Sequence, residues 1–155
     1  MENEKLIERG IYLAQNRHFE EAIRVFEEDL CFAQHPVAMS FYALCIAEVE
    51  WNYDKAVSLC LMAAQRESYS PEIYLNFGKI LLLNGQKTVA VKSFKKGLKF
   101  DKMHQGLLHA IKKLGLRRKP IISFLPRHNF INKFLGKLTH RLGYKELSPA
   151  HYPRS

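Results

Sequence analysis

The stretch PEIYLNFGKILLLNGQKTVAVKSFKKGLKFD, residues 71–101, reads as two helices joined by a tight turn. Pro71 stands where a helix begins, since a proline at the first helical position forfeits only an N–H that would be unbonded anyway. Apolar residues then recur at helical spacing until Asn84-Gly85-Gln86, where glycine marks a turn. A second amphipathic run follows, with Ala90 and Phe94 four residues apart on one face. Small residues at Gly78 and Ala90 allow the two helices to approach closely, and the larger Phe94 fills the layer between one pair and the next.

Outward from this pair, the pattern repeats. Ala22, Ala56 and Ala90 are spaced by 34 residues, within HFEEAIRVFEEDL (18–30), NYDKAVSLCLMAA (52–64) and KTVAVKSFKKGL (87–98). Phe26, Cys60 and Phe94 each follow the alanine by four, and Gly10, Ala43 and Gly78 are the small residues of the first helices. A fixed period of this length is the mark of stacked helix-turn-helix units. The chain resembles the tetratricopeptide repeat (TPR) family over residues 3–101, with Tyr74, Phe77, Gly78, Leu81, Gly85, Ala90 and Phe94 at its signature offsets. The resemblance implies an all-α fold, a right-handed superhelix of about three antiparallel helix pairs. The second unit departs from the pattern, with Cys60 in place of an aromatic and one extra residue in the turn EVEWNYD, where Trp51 is expected to pack.

Helices are expected near 3–15, 19–33, 37–50, 53–66, 71–83 and 87–100. A seventh, near 103–114 within a capping segment 102–116, carries Leu107, Leu108, Ile111 and Leu114 at helical spacing, with His104, Lys112 and Lys113 on the other face and Gly115 as C-terminal cap. Such a helix would cover the last apolar face of a stack.

In TPR proteins the first helices line a concave groove that binds a peptide. By position, the resemblance assigns that groove to Ile7, Ile11, Leu44, Glu48, Leu75, Lys79 and Leu82, a mostly apolar set suited to an apolar or amphipathic segment of a partner protein. The basic clamp with which some TPR domains hold a terminal carboxylate is not reproduced, since only Asn76 and Lys79 fall suitably. The implied role is that of a non-enzymatic adaptor or scaffold.

No phosphate-binding, nucleophile-elbow or dinucleotide motif occurs, and the 7 histidines include no H-x-x-x-H pair. Neither a catalytic residue nor a metal ligand nor a cofactor is therefore expected, which leaves open a site assembled from dispersed residues. Cys31, Cys45 and Cys60 form no C-x-x-C pair and lie in apolar helical segments, so free buried thiols are expected. With neither a secretory pattern at MENEKLIERG nor an apolar run long enough to span a bilayer, the chain reads as soluble and cytoplasmic.

Charge is distributed unevenly. Through Asp101 there are 12 Lys and Arg against 14 Asp and Glu, whereas Lys102 onward has 12 basic residues and one acid, for a net +9. Residues 117–155 form a basic extension with Arg117, Arg118, Lys119 and Arg127 around the apolar run IISFL, bracketed by Pro120 and Pro126. A short amphipathic helix is expected from Asn129, with a basic stripe of Lys133, Lys137 and Arg141. The extension resembles those of some bacterial TPR proteins. Three roles suit it: packing onto the protein's own repeats through Ile121, Phe124 and Leu125, binding an anionic membrane surface, or binding nucleic acid. The last two give the alternative reading of a peripheral membrane- or nucleic-acid-associated scaffold.

Overall fold

The computed structural model describes residues 2–28 and 33–115. The chain divides into two compact units, Met1–Gly115 and Leu116–Ser155. The second lies outside the described residues, and with it the basic cluster, the IISFL run and the amphipathic helix. Cys31 is also outside them.

All the regular structure among the described residues is helical. The order is α1 Glu2–Gln15, α2 Phe19–Glu28, α3 Pro36–Val49, α4 Tyr53–Arg66, α5 Pro71–Leu83, α6 Lys87–Phe100 and α7 Gln105–Lys113. Pro36 and Pro71 open α3 and α5, and the Asn52 side chain caps α4 by accepting the Lys55 N–H at 3.2 Å. Two boundaries differ from expectation. Ala33 lies in a short 3-10 turn instead of the end of α2. His104 precedes α7 and caps it, its Nδ1 accepting the Leu107 N–H at 3.3 Å, so it does not sit on the helix's polar face.

Each turn within a helix pair contains one residue with left-handed backbone: Arg17 (φ 67°), Trp51 (φ 55°) and Gly85 (φ 72°). Only glycine adopts this conformation without steric cost. Trp51 does not pack at its turn as expected, since 73% of its surface remains exposed.

Each helix packs on the next, and the odd-numbered helices also touch one another in series, α1 on α3, α3 on α5 and α5 on α7. Apolar side chains form a contiguous cluster from Ile7 through Phe26, Phe41 and Ile46 to Cys60 and Ile80, with a second around Leu81, Phe94 and Leu107. Helix α3 is the centre of the stack: every residue from Ala38 to Ala47 is buried, as expected of a helix apolar on all sides.

Side-chain sizes are matched within pairs. A Cβ at Gly10 would come within 2.6 Å of the Phe26 ring, and one at Gly78 would overlap the Phe94 ring. In the middle pair the corresponding residues are Ala43 and Cys60, both fully buried in one cluster. The methyl added on one helix is offset by the smaller side chain on the other, which keeps the volume between helices filled without overlap. The three repeating alanines, Ala22, Ala56 and Ala90, have no exposed surface at all.

Candidate functional site

The contacts α1–α3–α5 place the groove residues of the sequence reading on neighbouring helices. They do not all reach solvent. Ile7, Leu44 and Leu75 are buried, Ile11, Glu48 and Leu82 are half-buried, and Lys79 is exposed. Leu44 belongs to the main core cluster, against which Ile11 also packs. Leu75 packs with Leu81 and Leu107, and its Cδ2 fills the space beside Gly106 that a side chain there would need. The expectation that Leu75 would face a ligand is therefore corrected: α7 closes over it, as does the surrounding core over Leu44.

Of the expected groove residues, Lys79 and the half-buried Ile11, Glu48 and Leu82 keep surface in contact with solvent. The Lys79 ammonium is held below its ordinary value by desolvation among the packed helices, with the carboxylates of Glu72 and Glu48 pulling it back up. Glu72 also meets His104, the residue that caps α7, Nε2 to Oε1 at 3.0 Å. Because the His104 Nδ1 accepts from the α7 backbone, the ring proton sits on Nε2 and is donated to Glu72. Sequence reading missed this junction: no local pattern relates residue 72 to residue 104, and the pairing exists only because α7 folds back onto α5.

Beneath this surface, the Asn76 amide Nδ2 donates to Ser40 Oγ at 3.0 Å, and Ser40 Oγ donates to the Val37 carbonyl at 2.7 Å. Both side chains are fully buried, and Asn76 Oδ1 has no hydrogen-bond partner among the described residues. Asn76 thus links α3 to α5 inside the core and is out of reach of a partner's carboxylate.

On the opposite, even-numbered helices the charge changes along the stack. Helix α2 carries Glu20, Glu21, Glu27 and Glu28 against Arg24, α4 is nearly balanced, and α6 carries five lysines and no acid. Cys45 and Cys60 are buried free thiols. Burial pushes Cys45 up to about 12 and Cys60 higher still, so neither is a thiolate nucleophile near neutral pH. Among the described residues no three His, Cys, Asp or Glu side chains gather to hold a metal ion, and no helix is long and apolar enough to cross a membrane.

No protein-family model matches the chain, and no curated protein matches it.

Proposed function

We propose that residues 2–115 form a TPR-like right-handed superhelix whose inner wall, made by α1, α3 and α5, binds an amphipathic segment of a partner protein without catalysing a reaction. The observation that carries this reading is the exposed Lys79 of α5 together with the half-buried Glu48 of α3 and Glu72 of α5, on helices that touch in series. The half-buried Ile11 and Leu82 on the same inner helices supply apolar contact. A partner helix could lay its apolar stripe along Ile11 and Leu82 and pair its flanking charges with Lys79 and the two glutamates, which is the groove mode of peptide recognition. The buried Leu44 and Leu75 support that wall from behind and take no part in contact.

The test is selection of peptides on the full chain from a random display library, followed by binding measurements on variants. Lys79→Glu together with Leu82→Glu should weaken the selected amphipathic peptides at least tenfold while leaving helicity unchanged. Peptides that bind this double variant as tightly as the parent would refute the assignment of the wall. Leu75→Glu serves as the contrast: it should lower the melting temperature sharply, because it places a charge in the core.

A further inference from the structure

The outer face of α6 carries a feature that the inner-wall reading does not use. Lys92, Lys95, Lys96 and Lys99 are all exposed and fall within about 100° of helical arc, neighbours at three and four residues being about 5–6 Å apart. Alongside them lies a row of three aromatic rings. Phe100 stacks on Tyr74 with centroids 5.6 Å apart, and Tyr69 meets Phe100 edge-to-face at 5.7 Å. The Lys96 ammonium sits 4.9 Å from the centre of the Tyr74 ring.

Tyr74 is buried and its hydroxyl donates to the Ser68 carbonyl at 2.9 Å, so the inner end of the row is fixed. The outer end is open: Phe100 is 40% and Tyr69 76% exposed. Asp101, which follows Phe100, accepts the Met103 N–H at 2.9 Å in the turn after α6, and Glu67 and Glu72 each lie two residues from a ring of the row.

We propose that this face binds single-stranded nucleic acid, with phosphates on the α6 lysines and a base stacked on Tyr69. The charge selects an anionic polymer, because this face of α6 presents four lysines and α6 carries no acid. The open ring selects among anionic polymers, since a base offers a flat π-face and an acidic peptide or a lipid headgroup does not. A base on Tyr69 would extend a row of rings already held by Tyr74 and Phe100. Nothing in this arrangement reads base edges, so binding would be largely independent of sequence.

The measurement is fluorescence anisotropy of a labelled dT 12-mer titrated with the full chain between 50 and 200 mM salt. Tyr69→Ala should weaken binding roughly 5- to 150-fold, the range for loss of one base–aromatic stack, and Tyr69→Phe should restore most of it. Lys95→Gln with Lys99→Gln should make the salt slope shallower by roughly 1.4, at about 0.7 for each phosphate no longer neutralised. An abasic 12-mer of the same charge should bind more weakly than dT.

Four results would overturn the proposal. These are no binding at the lower salt, dT binding that is indifferent to Tyr69→Ala, equal affinity for the abasic strand, and displacement of dT by polyglutamate of matched charge at equal concentration. Indifference to Tyr69 would assign the interaction to cations elsewhere in the chain. Binding to phosphatidylglycerol vesicles that depends on Tyr69 while dT fails would assign the face to a membrane.

Discussion

The Phe94 ring occupies the space that a side chain at residue 78 would need, and Phe26 stands in the same relation to Gly10. The pair Ala43 and Cys60 answers the same steric demand with different sizes. These positions form one constraint, in which the first helix can carry bulk only if the second gives it up.

Gly78→Ala should accordingly destabilise the protein by about 1–3 kcal/mol, the usual cost of overpacking. Cys60→Phe alone should cost a similar amount, and Ala43→Gly combined with it should recover at least half. Urea denaturation of the two single variants and the double variant measures the coupling. Additive losses would show that Ala43 and Cys60 do not share a packing site.

The three left-handed turn residues divide into one that suits its backbone and two that do not. Gly85→Ala should destabilise by about 1–2 kcal/mol, the steric cost of a Cβ in that conformation. Trp51→Gly, at a highly exposed residue with φ 55°, should leave stability unchanged or raise it by up to about 1 kcal/mol, with the relieved strain set against the greater freedom of glycine in the unfolded chain. A loss above about 1 kcal/mol, read from thermal melts, would contradict this.

His104 holds α7 in two ways, through its cap of the Leu107 N–H and its bond to Glu72. His104→Ala should speed hydrogen exchange at Leu107 and reduce stability by about 1 kcal/mol, the ordinary worth of an N-cap. His104→Asn should restore slow exchange at Leu107 without restoring the tie to α5. If both variants exchange like the parent, the cap contributes nothing.

Alkaline pH should weaken the fold through the buried thiols. Cys45 is raised from an ordinary 9.0 to about 12 and Cys60 is raised further, so the folded state keeps protons that the unfolded state releases. Stability from this source is complete below about pH 9 and falls as pH rises from there toward the folded values, by at most about 1.4 kcal/mol per pH unit for each thiol. Denaturation midpoints at pH 8 and pH 10.5 should show this decline, and Cys60→Ala should flatten it. An unaltered slope in that variant would place the alkaline sensitivity in other groups.

The seven helices of the described residues were legible because their signals are local. Prolines at 36 and 71, the 34-residue spacing of Ala22, Ala56 and Ala90, and the amphipathic apolar runs each act within a few turns of chain, and α1 and α3–α6 begin and end within a residue of the expected spans. Small residues at close helix contacts were legible for the same reason, since the spacing of Gly78 and Phe94 constrains both.

Which of the expected groove residues stay accessible was not. Whether Leu44 and Leu75 meet solvent depends on what packs over them from elsewhere in the chain, and a helical period says only that Leu44 shares a face with Glu48 and Leu75 one with Lys79. The Glu72–His104 bond, the Asn76–Ser40 link and the aromatic row from Tyr74 to Tyr69 beside Lys96 likewise arise between separate elements. Burial and pairing of this kind are properties of three-dimensional packing, in which side chains dozens of residues apart compete for the same volume, and no spacing along one helix encodes the outcome.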